Sequence, residues 1–597
     1  MFSNIPKPPK FQLNTLLTHF QNKQYENAEH LAISITSKYP NHQYAWKILA
    51  AVYEQTDRIN KALDANLKAL EIDPNDYEVY LCLGNNLSHL GNLEDSVSNY
   101  KKAINLKADY IQAYYNLGLI LNKMKRFDES IYSFQQAINL KPDNANFYNA
   151  LGLTFMELSK PEEAINYFKK AITIKQNYSQ AFFNLGIALI KLGQTAKALD
   201  NFKQAIFLKP DYTRAFNSCG IALIELGRNE DALENFKQAI ALDKNYTEAY
   251  MNLGNALKEL GRFEESIKNY RKAIELKPDY AEGHNNYGRA LLLKNDFEEA
   301  FIQMEWRLSL DELNFIPFDS EKPRWIKNKN HRVFVWKEQG IGDFIMYSSM
   351  ISELYENVDK VIVECDQRLV PLLKRSLPKD IRLVTDRLEI RHSDYDSQIP
   401  IGSLPLHYRK KLNNFYRSAN GWLKADKEKS QNIRKNIIKK TSKKIIGLSW
   451  KTSSMLRNSD LRNIELKSLL NPLKNLDCVF VNLQYGDVST EISSLKLDFG
   501  IEIFEVAGID LYKDIDGLAS LISACDSVIT IDNFTSHLAG ALSTDTRLLL
   551  PQVADERWGL DLDKCYLYEN IILYRQSIYK RWEDPILKLK KDLELIF

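Results

Sequence analysis

A strict 34-residue period governs the first half of this 597-residue chain. Seven glycines keep the period without a slip: Gly84, Gly118, Gly152, Gly186, Gly220, Gly254 and Gly288. Seven alanines keep the same spacing: Ala69, Ala103, Ala137, Ala171, Ala205, Ala239 and Ala273. Five prolines fall on the same grid: Pro40, Pro74, Pro142, Pro210 and Pro278. Small residues let two helices approach closely and a proline ends a helix, so each period predicts a pair of packed helices.

The unit at residues 245–278, NYTEAYMNLGNALKELGRFEESIKNYRKAIELKP, shows the pattern in full. Its apolar residues recur at helical spacing on both sides of the LGRFEE turn, which predicts two antiparallel helices. The unit resembles the tetratricopeptide repeat in length and in its small-residue pattern. This resemblance implies an α-helical solenoid over residues 7–310, with close to nine units. Such a superhelix usually holds an extended peptide or a partner protein on its concave face.

One row of amides follows the period two residues before the glycine: Asn116, Asn184, Asn252 and Asn286. Cys82, Ala150 and Ser218 interrupt it. An amide side chain both donates and accepts hydrogen bonds, so a row of them can hold a peptide backbone. The row resembles the asparagine-lined groove in the repeats of O-linked N-acetylglucosamine transferases, which makes it a candidate acceptor groove. The alternative is a row of solvated polar positions.

The helical period stops near Trp306, and a proline-containing junction follows at residues 311–330. Beyond it, eight β-rich runs alternate with amphipathic segments: 331–336, 360–365, 381–384, 444–450, 478–484, 501–506, 527–532 and 547–551. This alternation predicts doubly wound α/β sheets. We place an N-terminal α/β lobe at 331–423, a basic linker helix at 424–444 and a C-terminal α/β lobe at 445–597. Two such sheets resemble the GT-B glycosyltransferases, although the pattern equally allows other two-domain α/β enzymes.

The first chemical motif is KEQGIGDFIMYSSMI, residues 337–351. It follows a predicted strand, turns on Gly340 and Gly342, and begins a helix at Asp343. Ligands of doubly wound sheets bind at the carboxyl ends of strands, so this carboxylate is expected to face a cleft. A helix N-terminus favours its ionised form, which suits it to accept a proton from a substrate hydroxyl. An ordinary helix cap is the alternative.

The second motif is SVITIDNFTSHLAGALS, residues 527–543. Here a predicted strand ends in Asp532 and a helix begins at about Thr535. The backbone N–H groups and hydroxyls of that turn are suited to bind a phosphate. Asp532 also fits a helix cap, so the motif alone is only moderately specific.

In this order, and about 190 residues apart, the two motifs resemble the heptosyltransferase family of glycosyltransferases. The resemblance covers residues 325–597 loosely and is nearest to bacterial tetratricopeptide-repeat proteins with such a domain at the C-terminus. It implies an inverting, metal-independent transfer of sugar from a nucleotide-activated donor, with Asp343 as general base. It also implies a set of donor-binding residues: Gly340, Gly342, Lys451, Arg462, Gln484, Asp532, Asn533, Thr535, Ser536 and His537. Lys451 or Arg462 would neutralise the leaving diphosphate.

Phe534 departs from the family pattern, which prefers a small residue at this position. A glycine there lets the backbone approach the phosphates closely, so the phenylalanine implies either a different donor or a site that has lost activity. Two hypotheses therefore stay open. In one the protein is a glycosyltransferase, and in the other it is a non-catalytic repeat scaffold with a degenerate transferase domain.

Composition excludes several other classes. Lys and Arg number 79 and Asp and Glu 77, so the net charge of +2 gives no general attraction to nucleic acid or membrane surfaces. The six cysteines lie far apart without a CxxC pair, which argues against a disulfide scaffold or a zinc site. An apolar run of about 18 residues is missing from the sequence, as is an apolar N-terminal signal region. We therefore expect a soluble cytoplasmic protein.

Two D-x-D triplets, Asp514–Asp516 and Asp561–Asp563, have the form that holds a metal ion in some glycosyltransferases. Such triplets are common by chance, and we expect both to be structural. The sequence thus predicts no metal and no cofactor. The expected ligands are a nucleotide sugar and a polypeptide or glycan acceptor bound by the repeats.

Overall fold

The computed structural model describes most of the chain, and for residues 416–418 it describes the backbone only. The described ranges are 7–310, 315–327, 331–418, 421–438, 443–452, 461–560, 565–578 and 581–596. The chain divides into two compact units, Met1–Lys244 and Asn245–Phe597. The second unit therefore contains the last repeat helices together with the α/β region. Among the described helices, none combines the length and the apolar character needed to cross a membrane.

Residues 7–310, all of them described, contain eighteen α-helices. Their bounds are α1 Lys10–Gln21, α2 Tyr25–Lys38, α3 Gln43–Gln55, α4 Ile59–Ile72, α5 Tyr77–His89, α6 Leu93–Leu106, α7 Ile111–Lys123, α8 Phe127–Leu140, α9 Ala145–Glu157, α10 Pro161–Ile174, α11 Ser179–Lys191, α12 Thr195–Leu208, α13 Thr213–Glu225, α14 Asn229–Leu242, α15 Thr247–Glu259, α16 Phe263–Leu276, α17 Ala281–Leu293 and α18 Phe297–Met304. Each odd-numbered helix packs against the even-numbered helix that follows it. The predicted solenoid of helix pairs is confirmed.

A contact between glycine and an aromatic ring explains the period. Six of the seven periodic glycines lie under an aromatic ring sixteen residues later: Gly84 under Tyr100, Gly118 under Phe134, Gly152 under Phe168, Gly186 under Phe202, Gly220 under Phe236 and Gly254 under Tyr270. The seventh, Gly288, packs against Ala300 and Met304. A Cβ added to Gly152 would lie only 2.6 Å from Cε1 of Phe168, whose side chain is fully buried. Close approach of the two helices therefore requires glycine at this register.

In the turn between the paired helices, glycine is favoured because of the backbone conformation and not because of close packing. Gly193 and Gly227 adopt φ values of 68° and 74° there, in the left-handed region that glycine enters without strain. At the same register Lys125, Ser159 and Asn295 adopt φ values of 59°, 57° and 60°. The turn thus prefers glycine but accepts other residues, whereas the position under the aromatic ring does not vary.

Two fully parallel sheets follow within the described part of the second unit. The first has the order β3-β2-β1-β4, and the second has the order β10-β9-β8-β5-β6-β7. Their bounds are β1 Arg332–Trp336, β2 Lys360–Glu364, β3 Arg382–Val384, β4 Ser397–Pro400, β5 Lys444–Ser449, β6 Cys478–Asn482, β7 Ile503–Phe504, β8 Ser527–Ile531, β9 Thr546–Leu550 and β10 Ile571–Arg575. The predicted α/β class of this region is confirmed.

Helices connect the strands and cover the sheets. Their bounds are α19 Ile341–Ser348, α20 Ile351–Tyr355, α21 Val370–Ser376, α22 Pro405–Tyr408, α23 Lys427–Ile438, α24 Leu466–Leu470, α25 Ser489–Phe499, α26 Ile515–Ala524, α27 Phe534–Ala541 and α28 Glu583–Glu594. The basic segment predicted as a linker forms α23, and its Ile433 and Ile437 are buried in the core shared with α26. Residues 439–442 of that segment lie outside the described residues.

The strand orders determine where ligands can bind. Counted from its own first strand, the second sheet has the order 3-2-1-4-5-6, and the first sheet has the order 3-2-1-4. In such doubly wound sheets the strand order reverses between strands 1 and 4, and a crevice opens at their carboxyl ends. These two switch points lie between β1 and β4 and between β5 and β8. Asp343 follows β1, and Asp532 follows β8.

The end of the repeats is built into the α/β region of the same unit. The Phe297 ring on α18 lies 4.8 Å from the Phe415 ring and 5.4 Å from the Tyr566 ring, centroid to centroid. Arg307 is buried and donates from Nη2 to Glu338 Oε1 at 2.6 Å. An apolar contact and a buried ion pair thus join the last repeat to both sheets.

The two glycine registers give a direct test of the repeat packing. We expect Gly152→Ala to destabilise the repeats by about 1–3 kcal/mol, because the added methyl group overpacks the Phe168 site. Gly193→Asn serves as the matched control, since Asn295 already adopts the required backbone conformation at the same register three repeats later. Urea unfolding followed by far-ultraviolet circular dichroism measures both. Equal midpoints for the two variants would contradict the close-approach argument.

Candidate active site

The two sequence motifs meet in the second unit. Helix α19, which follows β1, packs against α27, which follows β8. A Cβ added to Gly342 would lie 3.2 Å from Cδ2 of His537 and 3.5 Å from Cα of Phe534. The switch points of both sheets therefore contribute side chains to one place.

Asp343 is the third residue of α19, and Gly340 occupies the cap position. Its Oδ1 accepts a hydrogen bond from Arg557 Nη1 at 2.6 Å, and its side chain is 22% exposed. The helix has no side-chain cap, so the capping alternative for this carboxylate is not what the structure contains. A partly exposed carboxylate held by a guanidinium can still reach a ligand.

Arg557 belongs to a tight turn after β9. Asp555 caps that turn by accepting from the backbone N–H of Arg557 at 3.2 Å, and it also accepts from Arg557 Nε at 2.7 Å. Burial alone would raise the pKa of Asp555, but the charges of Arg557 and Arg289 outweigh it and hold the pKa below its usual range. Arg557 thus bridges two carboxylates, Asp555 and Asp343.

Asp532 lies at the end of β8 and is 4% exposed. Burial raises its pKa, and the nearby Asp555 carboxylate raises it further. Arg462 Nη1 lies 3.3 Å from both Oδ2 and the backbone oxygen of Asp532. The predicted donor residues Asp532 and Arg462 are therefore neighbours, at the switch point of the second sheet.

Asn533 links the ends of β5 and β8 and the start of α27 through hydrogen bonds. Its Oδ1 accepts from the Thr535 backbone N–H at 3.0 Å, which caps α27. Its Nδ2 donates to Ser449 Oγ at 2.9 Å and to the Lys451 backbone oxygen at 3.1 Å. Ser536 Oγ donates in turn to the Asn533 backbone oxygen at 2.6 Å. The side-chain polar groups of Asn533 and Ser536 therefore form hydrogen bonds to other parts of the protein.

Gln484 and Lys451 also have internal partners. Gln484 Oε1 accepts from the backbone N–H groups of Trp450 and Lys451 at 2.9 and 2.8 Å, which fixes the turn after β5. The Lys451 ammonium forms an ion pair with Glu491. Thr535 is buried, and among the described residues no hydrogen-bond partner faces its Oγ1.

His537 lies beneath this site on α27 and is 2% exposed. Its Nδ1 lies 2.8 Å from the Tyr568 hydroxyl, and its ring stacks on Trp558 with centroids 5.1 Å apart. Burial, together with the charge of Arg557, lowers its pKa to about 3. The imidazole is therefore neutral at physiological pH, which suits it to hydrogen bonding rather than to ion pairing.

Phe534, the departure noted in the sequence, is the first residue of α27. Its ring packs on Tyr485 with centroids 5.4 Å apart. Gly342 lies over its backbone, as described above. The first turn of α27 is thus covered by the first turn of α19.

A cavity of about 60 Å³ lies beside Arg557, the partner of Asp343. Its walls include Arg557 and Tyr347 from the site, and Leu292, Phe301 and Met304 from the last repeat. Tyr347 lies one helical turn after Asp343, and the cavity reaches the candidate site through Tyr347 and Arg557. Its lining is mainly apolar.

The amide row of the repeats forms hydrogen bonds to amides of the preceding repeat: Asn116 to Asn85, Asn184 to Asn149 and Asn286 to Asn255. The N–O distances are 2.9, 2.9 and 3.3 Å. Asn252 is half-buried on α15. The partner amides were not predicted from the sequence, although their spacing of 31 or 35 residues from the row was available as a signal.

The D-x-D triplet at 514–516 has structural partners. Asp514 caps α26 by accepting from the Gly517 N–H at 2.7 Å, and Asp516 forms an ion pair with Arg375. The other triplet, Asp561–Asp563, lies outside the described residues. Within the described ranges, no group of three or more His, Cys, Asp or Glu side chains is arranged to hold a metal ion.

Comparison with protein-family models identifies tetratricopeptide repeats in the first 300 or so residues. Models described as TPR repeat match residues 85–125, 118–159, 222–261 and 254–295. Models described as tetratricopeptide repeat match residues 14–77, 65–97, 145–178 and 167–200. The chain therefore carries repeats of a protein-interaction class.

Among curated proteins, the chain is similar to Protein FlbA of Caulobacter vibrioides, strain ATCC 19089 / CIP 103742 / CB 15. The two are 29% identical over 297 residues, which is 46% of this chain and 49% of FlbA. The chain thus spans about half the length of the curated relative that it matches.

Among solved structures, the chain is similar to YrrB, a TPR protein with an unusual peptide-binding site. The identity is 27%, with 31% of this chain and 96% of that chain covered and a TM-score of 0.27. It is also similar to the APC/C hetero-tetramer Cut9–Hcn1. That identity is 15%, with 49% of this chain and 57% of that chain covered and a TM-score of 0.35.

The neutral, buried state of His537 predicts a specific acid sensitivity. Its pKa in the folded protein, about 3, lies below the ordinary 6.5, so below about pH 6.5 the unfolded chain binds the extra proton and stability falls. Between pH 6.5 and 5 this one group costs about 2 kcal/mol. We expect His537→Asn to remove that part of the pH dependence, measured by urea unfolding at the two pH values.

Tyr568→Phe is the control for this experiment. It removes the hydroxyl partner of His537 but no group that titrates in this range, so it should lower stability equally at both pH values. A wild-type pH slope in His537→Asn would contradict the assignment.

Proposed function

We propose that this protein is a glycosyltransferase that moves a sugar from a nucleotide-activated donor to a hydroxyl of an acceptor recruited by the repeats. One observation carries the proposal: the strand-end motifs of two doubly wound sheets meet, with Asp343 on one side and Asp532 and Arg462 on the other. Carboxyl ends of parallel strands at switch points are where such sheets bind ligands. Two sheets facing each other in this way resemble the GT-B arrangement.

In this proposal Asp343 is the general base. Arg557 occupies Oδ1 and fixes the carboxylate, which leaves Oδ2 to take the proton of the acceptor hydroxyl. The acceptor oxygen then forms a bond to the anomeric carbon of the sugar, and the bond from that carbon to the diphosphate breaks. Attack opposite the leaving group inverts the anomeric centre.

The departing diphosphate carries negative charge, which a cation can stabilise. Arg462 is the candidate with the better geometry, because it lies at the β8 switch point beside Asp532. Lys451 is the second candidate, and it must leave Glu491 to act. The neutral imidazole of His537 supplies a hydrogen-bonding group without adding charge.

The acceptor side of the proposal rests on the repeats and the cavity. Tetratricopeptide repeats are a protein-binding architecture, and α17 and α18 line the same cavity as Arg557, which holds Asp343. In this proposal, an acceptor polypeptide bound by the last repeat approaches the carboxylate from this side. A glycan carried on such a polypeptide is the other acceptor that fits.

The scaffold hypothesis keeps one specific observation in its favour. Asn533 and Ser536 use their polar groups internally, and Phe534 and Gly342 cover the first turn of α27. A protein that only binds partners through its repeats has no need of an open donor site. Donor binding separates the two hypotheses.

The decisive measurement is calorimetric titration of the full chain with UDP-, GDP- and ADP-activated sugars, all of which release a nucleoside diphosphate. The same donors, radiolabelled, are then incubated with the full chain and a cell extract, and label in the protein and glycan fractions is counted. Binding of one donor together with label transfer supports the transferase. Absence of binding by every donor class leaves the scaffold hypothesis standing.

Asp343→Asn tests the base. The amide keeps the size and a hydrogen-bonding oxygen but cannot take a proton, so donor affinity should survive while transfer falls by about 10²–10⁴-fold. The measurements are donor affinity by calorimetry and label transfer at saturating donor.

Asp366→Asn is the matched control. Asp366 also follows a strand of the first sheet and pairs with an arginine, Arg368. The two arginines, Arg368 and Arg557, are 25% and 26% exposed, and the two aspartates, Asp366 and Asp343, are 31% and 22% exposed. We expect this variant to transfer sugar at the wild-type rate. Full activity in Asp343→Asn, or an equal loss in both variants, would remove the catalytic assignment.

The amide row is tested by replacing Asn184, Asn252 and Asn286 together with Ala. If the row holds the acceptor, transfer to protein falls while donor affinity stays unchanged. The control replaces Asn201, Asn235 and Asn269, which keep the same 34-residue spacing on the second helices and donate only to backbone oxygens four residues earlier. Equal transfer by both triple variants would show that the row does not bind the acceptor and only forms hydrogen bonds between neighbouring repeats.

A further inference from the structure

One repeat position carries a charge that its equivalents lack. The residue after the conserved glycine is uncharged in six successive repeats: Asn85, Leu119, Leu153, Ile187, Ile221 and Asn255. In the next repeat it is Arg289, on α17. A single arginine in an otherwise uncharged register has a local cause.

That cause is the turn that holds Arg557. Arg289 forms an ion pair with Glu556, and its Nη2 lies 3.8 Å from Asp555 Oδ2. Glu556 raises the pKa of Arg289, with Asp555 adding to the effect. Helix α17 thus contacts the turn 555–557 through two carboxylates.

The contacts form a continuous chain. Arg289 neutralises Glu556 and shares Asp555 with Arg557, and Arg557 in turn holds Asp343. Phe415 and Tyr566, which contact the Phe297 ring, line the same cavity as Asp555, Glu556 and Arg557. We call this apolar contact between the last repeat and the α/β region the seam. In partly dry surroundings such pairs are stronger than at an open surface.

We propose that Arg289 is a positioning residue of the candidate active site, so that the last repeat orients Asp343 through the turn 555–557. The inference rests on the proposed function and deepens it. The last repeat is then part of the catalytic assembly, in addition to any role of the repeats in recruiting an acceptor. Removal of α17 from the α/β part is expected to disturb the geometry of the base.

The physical consequence of losing Arg289 follows from charge. Glu556 is 7% exposed, and without Arg289 it becomes a buried carboxylate with no counter-charge from α17. Asp555 and Glu556 then compete with Asp343 for Arg557. The other titratable groups around this cluster are Asp532, His537, Tyr270, Tyr347, Tyr566 and Tyr568, and none of them is a cation at neutral pH. The nearby arginines have other partners: Arg462 pairs with Asp532, Arg409 pairs with Glu353, and Arg575 donates to the backbone oxygens of Trp558 and Gly559.

The test uses three variants of the full chain: Arg289→Gln, Arg289→Gln with Glu556→Gln, and Arg262→Gln. The double variant removes the stranded carboxylate and leaves two amides that can bond to each other. Arg262 is the matched control, because it lies in the preceding repeat of the same unit and pairs with Glu265 at the surface. Each variant is assayed for label transfer, donor KM and thermal midpoint.

A second measurement does not depend on activity. Hydrogen exchange followed by mass spectrometry reports on the amides of Trp558 and Gly559, which donate to the backbone oxygens of Asp555 and Glu556 within the turn. We expect Arg289→Gln to speed their exchange by about an order of magnitude, because the turn loses its tie to α17. Arg262→Gln should leave them unchanged.

The expected result is a fall in kcat by up to about 100-fold in Arg289→Gln, with donor KM unchanged and partial recovery in the double variant. A merely structural role predicts a lower thermal midpoint with no recovery, and that outcome overturns the proposal. Unchanged turnover and exchange overturn it as well. If the wild type transfers no sugar, the proposed function fails, and exchange in the turn then decides the positioning claim alone.

Discussion

The contact of the Phe297 ring with Phe415 and Tyr566 is the interaction on which the rest of the second unit depends. It brings together one side chain from the last repeat and one from each α/β sheet region. Because the rings exclude water, the ion pairs beside them operate in a medium of lower dielectric constant. The positions of Arg289 and the turn 555–557, and through them Asp343, follow from this apolar seam.

The charges along the seam are costly to bury and gain their stability from one another. Three carboxylates and two arginines alternate from Glu556 to Asp343, and each arginine pairs with two carboxylates. Removing one member leaves a neighbour uncompensated, which costs more than the pair contributes. Such a network therefore fixes geometry, which is the property that a positioned general base needs.

Part of the fold and of the site was available from the sequence, and the missing part has identifiable reasons. The period predicted the helix pairs because glycine and alanine mark close approach, as the Gly152–Phe168 contact bears out. Strand β4, Ser397–Pro400, was not predicted, since Ile399 is its only aliphatic residue. Strand β10, Ile571–Arg575, was also not predicted, although its apolar run was available as a signal. Arg557 stood near the quoted motifs but received no role, because its partner Asp343 lies 214 residues away.

The sequence by itself determined the repeats, the α/β class of the second half and the two strand-end motifs, because each depends on local spacing. The tertiary structure alone decided that the motifs meet, that Asn533 and Ser536 turn their polar groups inward, and that Arg289 pairs with the turn 555–557. These pairings join residues far apart in the chain, and a pattern with a period of 34 residues carries no information about which distant charges become neighbours. The physical reason is that helix and strand formation respond to nearby residues, whereas burial of a charge depends on everything that packs around it.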